Sequence, residues 1–143
     1  MHKLSDTNQL NNSVITFGNF DGIHRGHKYI INKMLYLSNK YKIPSVLITF
    51  KPHTNNVIYP NKNHKRILTY YQKYKKIIDS GIDYICEVNF DKKTSRLKPD
   101  EFLDIIIKKY NPSYIVFGYD NKFGINQSGS YDYLINKNKY KNK

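Results

Sequence analysis

A polar stretch that reads "GNFDGIHRGH", at residues 18–27, holds the residue types of this sequence that are best suited to chemistry. Glycines in its first half let the backbone turn sharply and approach a ligand closely. His24 and His27 lie three residues apart, so they share one face at a helix start, and Gly26 between them leaves room for a bulky group. Free helix amides and two imidazole donors suit a polyphosphate, including the charge that develops while a phosphoryl group is transferred.

Two plainer interpretations of the same stretch are left open by the sequence. The histidine pair could ligate a metal, although no third ligand is near in sequence and the predicted sheet does not require one. The glycines could be ordinary turn residues, although a glycine turn combined with "HRGH" is more specific than either alone. Two common nucleotide-binding motifs are excluded, because the sequence contains neither G-x-G-x-x-G nor G-x-x-x-x-G-K-[ST].

The segments around this stretch predict a parallel α/β fold in one domain over residues 1–143. Short apolar strands are predicted at 13–19, 44–50, 83–90 and 112–118, helices at 27–41, 68–81 and 99–110, long loops at 51–66 and 119–130, and the start of a further helix at 131–137. Thr69 is expected to cap the second of these helices, and Pro99 to begin the third. Residues 1–12 are polar, and the lysine- and asparagine-rich end from about 136 is expected to be a frayed tail.

Each predicted strand is followed by a polar or turn segment: "GNFDG", "FKPH", "NFD" and "GYDNKFG". In an open parallel sheet, ligands bind beyond the carboxyl ends of the strands. We therefore expect these four segments to line one edge of the sheet and to form one site.

The net charge of +13 invites a nucleic-acid interpretation, but the composition argues against it. Lysine outnumbers arginine 21 to 3 and is spread along the chain, whereas arginine is favoured for bidentate contacts with phosphate and guanine. The single Cys86 fits a reducing compartment, and the sequence contains neither a signal-peptide pattern nor an apolar run of membrane-spanning length. We expect a cytoplasmic protein with no specific nucleic-acid partner and no membrane segment.

The stretch at 18–27 resembles a segment of the FMN adenylyltransferase domain of bacterial FAD synthetases, the bifunctional riboflavin kinase/FMN adenylyltransferases. Three further segments are similar to that family: "TFKPH" at 49–53, "RILTYYQKYKKIIDSGIDYICEVNFD" at 66–91, and "FGYDNKFG" at 117–124, where Asn121 replaces the usual phenylalanine. The resemblance runs from about residue 13 to about 134. It implies the Rossmann-like fold of the H-x-G-H nucleotidylyltransferases.

The resemblance also implies a reaction in which FMN and MgATP give FAD and pyrophosphate. Carried over to this sequence, His24 and His27 would be catalytic and would contact the triphosphate. The ATP pocket would be formed by Gly18, Asn19, Phe20, Asp21 and Gly22 together with His24, Gly26 and His27. The flavin side would be formed by Pro52, His53, Asp120, Phe123 and Gly124. His53 could equally be a solvated loop residue, and Phe123 could be a core residue.

The family pattern continues beyond the segments matched here. It adds a serine/threonine-rich segment that ends in arginine, one more strand, and a riboflavin kinase module. From this sequence we expect a fold that lacks the last strand, and no riboflavin kinase activity. Two alternatives to an FAD synthase are a related transferase with another phosphate-bearing substrate and a non-catalytic remnant that binds flavin or nucleotide.

Overall fold

The computed structural model describes residues 2–3, 10–62, 65, 67–137 and 139–140. Within these residues five strands form one parallel sheet in the order β1-β4-β3-β2-β5. The strands are β1 (His2–Lys3), β2 (Ser13–Phe17), β3 (Ser45–Lys51), β4 (Tyr84–Asn89) and β5 (Pro112–Ile115). The predicted parallel α/β fold is therefore confirmed, and the four predicted strands are neighbours in the sheet.

The helices are α1 (Arg25–Tyr41), α2 (Thr54–Ile58), α3 (Tyr70–Asp79), α4 (Pro99–Tyr110) and α5 (Tyr131–Asn136), with single 3-10 turns at Thr94–Arg96 and Ile125–Gln127. Three of the helices, α1, α3 and α4, connect strands where the sequence predicts helices, and α5 begins where a further helix is expected. Thr69 caps α3 as expected, because its hydroxyl accepts the N–H of Gln72 at 3.2 Å. Pro99 begins α4, followed by two acidic residues in the first turn.

Apolar side chains fill both faces of the sheet, as a central parallel strand requires. Along β2, Ile15 and Phe17 pack on one side with residues of α4, whereas Val14 packs on the other side with residues of α1 and α3. All five residues of β2 are buried. Helices on both faces thus hold β2 and β3 rigidly, and the carboxyl ends of these strands carry the polar segments.

The structure differs from the sequence expectation in three places. The two-residue strand β1 pairs with β4, and α2 lies inside the predicted loop at 51–66. At the expected frayed tail, Tyr140 is buried and its hydroxyl donates to Asp100 at 3.1 Å, so fraying is not observed there. The remaining tail residues, 138 and 141–143, lie outside the described residues, as do residues 4–9 of the polar start.

Candidate functional site

The GNFDG turn, residues 18–22, connects β2 to the start of α1. The N–H of Gly18 donates to the carbonyl of Ile48 at 3.0 Å, after which the chain leaves the sheet. Phe20, Gly22 and Ile23 then take positive φ values of 50°, 86° and 43°. Two of these three residues are not glycine, and such a backbone persists only where the surrounding fold enforces it. The turn is therefore a built feature of the carboxyl edge of the sheet.

Two side chains of the turn anchor it to neighbouring segments. The amide of Asn19 donates to the hydroxyl of Thr54 at 2.8 Å and accepts the N–H of Thr54 at 3.4 Å. The carboxylate of Asp21 accepts the N–H groups of Ile67 and Leu68 at 3.2–3.3 Å. Both side chains thus fix the shape of the turn through contacts with protein groups.

The two histidines at the start of α1 form a stacked pair. His24 is the N-cap of α1, and its ring lies 3.8 Å from that of His27 between centroids, with 25° between the ring planes. A Cβ on Gly26 would lie 3.2 Å from Cε1 of His24, so a side chain there would press on the pair. The ring of Phe20 packs against His27 at 4.9 Å from the other side. This stack fixes the orientation of the His27 ring.

One nitrogen of His27 is enclosed by the protein. Its Nδ1 is buried and has no hydrogen-bond partner among the described residues, and the residue lines a cavity at this edge of the sheet. We infer that Nε2 is the nitrogen available to a ligand in that cavity. Burial, and to a lesser extent the neighbouring His24, lower the pKa of His27 to about 4. The carboxylates of Asp120 and Asp21 act in the opposite direction. At neutral pH the ring is therefore uncharged, and a bound polyanion would raise its pKa.

This pKa predicts a pH dependence of stability. The unfolded chain protonates His27 near pH 6.5, whereas the folded chain does so near pH 4, so the unfolded state binds more protons between these values. Stability should therefore fall as the pH falls from about 6.5 to about 4. Urea unfolding at several pH values should show a shallower slope for His27→Asn than for the unmodified chain. Equal slopes in this window would contradict the prediction.

Two cavities open at this edge of the sheet and share a wall. The histidine cavity has a volume of about 400 Å³, and its lining includes His24, His27, Tyr29, Gly118, Tyr119 and Tyr131. The phenylalanine cavity has a volume of about 320 Å³, and its lining includes Phe17, Phe50, Phe90, Phe102, Phe117 and Phe123. Phe117, Asp120 and Asn121 line both. Each volume lies in the range of small-molecule sites.

Most of the predicted site residues line these two cavities. The histidine cavity contains His24, Gly26 and His27 from the ATP set. The phenylalanine cavity contains Phe123 and Gly124 from the flavin set, together with Gly18 and Asn19, which were expected on the ATP side. Asp120 belongs to both cavities, so the polar strand ends do converge on one edge.

Five predicted residues line neither cavity: Phe20, Asp21, Gly22, Pro52 and His53. Phe20 is buried in the core, with 1% of its surface exposed. Asp21 and His53 line a small pocket beside Lys73, where Nδ1 of His53 accepts the N–H of Asn55 at 3.2 Å. Pro52 precedes this histidine and is not among the residues that line either cavity.

Phe123 belongs to both the core and the cavity wall. It is 8% exposed, and its ring meets those of Phe17 and Phe117 edge-on at 5.3 and 5.4 Å. Its backbone exchanges two hydrogen bonds with Gly129, at 3.0 and 2.8 Å. A Cβ on Gly129 would lie 2.6 Å from the ring of Phe123, so glycine at that position lets the loop close over the ring.

Sequence reasoning missed several cavity residues. Thr54 and Asn55 enter the phenylalanine cavity from the start of α2, and Thr94 and Ser95 enter it from the 3-10 turn after β4. The first pair directly follows FKPH and the second lies three and four residues beyond NFD, so extending those segments by up to four residues would have found them. The tyrosines of the histidine cavity carry no comparable signal, because tyrosine is common throughout this chain.

Two kinds of feature are absent from the residues that the structure describes. None of the helices in the part of the chain that the structure describes is both long and apolar enough to cross a bilayer. Within the same residues, no group of three or more histidine, cysteine, aspartate or glutamate side chains is arranged to hold a metal ion.

Comparison with known proteins identifies the family. The sequence model of the FAD synthetase family matches residues 6–142. A bifunctional riboflavin kinase/FMN adenylyltransferase from Buchnera aphidicola subsp. Acyrthosiphon pisum (strain APS) is 32% identical over 142 residues, covering 99% of this chain and 44% of that protein. The protein of the same name from Escherichia coli K12 is 29% identical over 136 residues, covering 94% and 42%. The chain thus spans less than half the length of these relatives.

A solved structure shares the fold. It is the crystal structure of a protein described as a macrolide-efflux protein from Streptococcus pneumoniae, with a TM-score of 0.79 and 26% identity. The match covers 92% of this chain and 43% of that one. Since the family model spans nearly all of the sequence and the fold agrees with it, this chain belongs to the FAD synthetase family.

Proposed function

We propose that the chain is an FMN adenylyltransferase, which transfers the AMP group of ATP to FMN and releases pyrophosphate. The observation that carries the proposal is the pair of cavities that meet at Asp120, one lined by the H-x-G-H histidines and the other by aromatic rings. The names of the relatives agree with this activity, although they describe proteins more than twice as long. The substrates ATP and FMN are intracellular metabolites, so we also propose a cytoplasmic location.

The phenylalanine cavity suits the flavin ring of FMN. Its lining includes six phenylalanine side chains, and offset or edge-on contacts between aromatic groups favour a planar ring system. Polar groups of Asn19, Thr54 and Asp120 lie on the same cavity and could orient the ring edge and the ribityl chain. The FMN phosphate would then lie toward the wall that the two cavities share.

The histidine cavity suits ATP. Its triphosphate would lie at the start of α1, where backbone N–H groups and the helix dipole favour an anion. Gly26 leaves the helix start open to the phosphates, and His27 lines the same cavity, where its Nε2 would meet them. The tyrosines of this cavity offer stacking surfaces for the adenine ring.

The proposed reaction is an in-line displacement. An oxygen of the FMN phosphate forms a bond to the α-phosphorus of ATP, the bond from that phosphorus to the bridging oxygen breaks, and pyrophosphate leaves with the electron pair. The chain contributes positioning and electrostatic stabilisation. His27, uncharged when the site is free, donates a hydrogen bond whose strength grows with the charge on the transferring group.

Magnesium belongs to this proposal as part of the substrate MgATP. The described residues contain no preformed group of three or more metal-binding side chains. Mg²⁺ typically keeps several waters and binds mainly through substrate phosphates. In this proposal the Mg²⁺ ion would therefore enter the site bound to the phosphates of ATP.

The direct test is FAD formation by the purified chain from FMN and MgATP, with FAD measured by chromatography and pyrophosphate by a coupled assay. We expect equal amounts of both products. Parallel reactions replace FMN with phosphopantetheine or nicotinamide mononucleotide. A product from either of these without FAD formation would point to a related transferase, and binding of FMN or ATP without any product would point to a non-catalytic protein.

A further inference from the structure

The most unusual side chain near the GNFDG turn is a buried lysine. Lys73 lies on α3 and is 7% exposed. Its Nζ donates to the backbone carbonyl of Asn19 at 3.1 Å and to the hydroxyl of Thr49 at 2.9 Å. The ring centroids of Tyr70 and Tyr74 lie 5.7 and 5.8 Å from the same ammonium. A buried ammonium is costly unless it is well solvated by the protein, and these groups provide that solvation.

Lys73 and Thr49 converge on one carbonyl group. The hydroxyl of Thr49, which is fully buried on β3, also donates to the carbonyl of Asn19 at 3.2 Å. That carbonyl therefore accepts from both the ammonium and the hydroxyl, while the hydroxyl accepts from the ammonium. The three groups form a closed buried triangle, which fixes one peptide group of the turn to α3 and β3.

The fixed peptide group joins Asn19, which lines the phenylalanine cavity, to Phe20, whose ring packs against His27 of the histidine cavity. On one side of it, the amide of Asn19 bonds to Thr54 in the phenylalanine cavity. On the other side, Phe20 takes its positive φ of 50° and packs its ring against His27 in the histidine cavity. A shift of this peptide group would therefore move Asn19 in the lining of the phenylalanine cavity. It would also move the ring of Phe20, which packs against His27 in the histidine cavity.

We infer that Lys73 is a positioning residue for adenylyl transfer, which acts by holding the carbonyl of Asn19 and thereby the orientation of His27. This inference rests on the proposed function for its effect on rate. Its structural content, that Lys73 fixes the turn, does not depend on the reaction.

The test uses Lys73→Met, which keeps the long side chain and removes the donor. We expect kcat for FAD formation to fall about tenfold to a hundredfold, because small displacements of reacting groups are that costly. FMN affinity, measured by flavin fluorescence, should change by less than about threefold, since the aromatic walls of its cavity are retained. Hydrogen exchange of the backbone at 18–23 should become at least about tenfold faster.

The matched control is Ile77→Val, one turn further along α3. Ile77 is buried and its aliphatic side chain makes no hydrogen bond to the turn, so this variant should lower the melting temperature and leave kcat per folded molecule unchanged. Thr49→Val removes the other donor of the triangle and should lower kcat in the same direction as Lys73→Met. If Lys73→Met does not fold, the kcat of Thr49→Val tests the positioning role instead.

Two results would overturn the inference. One is an unchanged kcat in folded Lys73→Met, or in Thr49→Val if the lysine variant does not fold. The other is unchanged hydrogen exchange at 18–23. If the unmodified chain makes no FAD, the proposed function fails, and the exchange measurement alone then supports or overturns the positioning role of Lys73.

Discussion

His27→Ala is expected to lower kcat for FAD formation by on the order of a hundredfold or more. The variant removes a ring that lines the histidine cavity, and with it a proposed hydrogen bond that would strengthen as charge develops on the transferring phosphoryl group. Steady-state FAD production gives kcat, and flavin fluorescence gives FMN affinity. The effect on FMN affinity should be small, because His27 does not line the phenylalanine cavity.

Asp120→Ala is the matched comparison for this variant. Asp120 lines both cavities and is exposed, so its removal should weaken FMN binding more than His27→Ala does. A residue that contributes only to ground-state binding raises KM and leaves kcat unchanged, which separates the two roles. A folded His27→Ala protein with a near-normal kcat would show that the proposed role of the histidine in phosphoryl transfer is wrong.

Gly124→Ala is expected to destabilise the fold by about 2–5 kcal/mol. Gly124 has φ 73° and ψ 174°, a region that is essentially restricted to glycine. A Cβ there would lie 2.8 Å from Cγ and 2.9 Å from the backbone nitrogen of Pro99, at the rigid start of α4. The adjacent N–H of Ile125 donates to the carbonyl of Leu97 at 2.8 Å, so the loop cannot move away without losing that bond. Urea unfolding measures the change.

Gly81→Ala provides the control for the steric part of this effect. Gly81 also has a positive φ, of 91°, but a Cβ there would have nothing within 4 Å. Gly81→Ala should therefore lower the free energy of unfolding by only about 1 kcal/mol, which is the backbone penalty alone. If both variants lose the same stability, contact with Pro99 does not constrain the loop at 119–130.

The sequence predicted the long elements well, because each has a strong local signal. The apolar runs of β2 and β3 and the capped, amphipathic α3 need no tertiary information. Short elements were missed because they lack such a signal. A two-residue strand such as β1 has no periodicity, and the five residues of α2 lie among asparagines and prolines that favour a loop.

The sequence predicted where the candidate site lies but not the contacts that its side chains make. That the strand ends converge follows from the parallel topology, so the proximity of Asp120 to the histidines could be expected. The contacts of Asn19 and Asp21 could not be predicted, because their hydrogen-bond partners lie 35 and 46–47 residues further along the sequence. Lys73 was missed because lysine is abundant and usually exposed, and only the fold reveals that this one is buried.

The wall shared by the two cavities has a consequence for the product of the proposed reaction. FAD carries both the adenylate and the flavin, so one molecule would occupy both cavities at once. Linking two ligands makes the second contact intramolecular, and binding can then exceed that of either part alone by orders of magnitude. FAD would therefore leave slowly and would compete with both ATP and FMN, so the rate of synthesis would respond to the amount of free FAD already present.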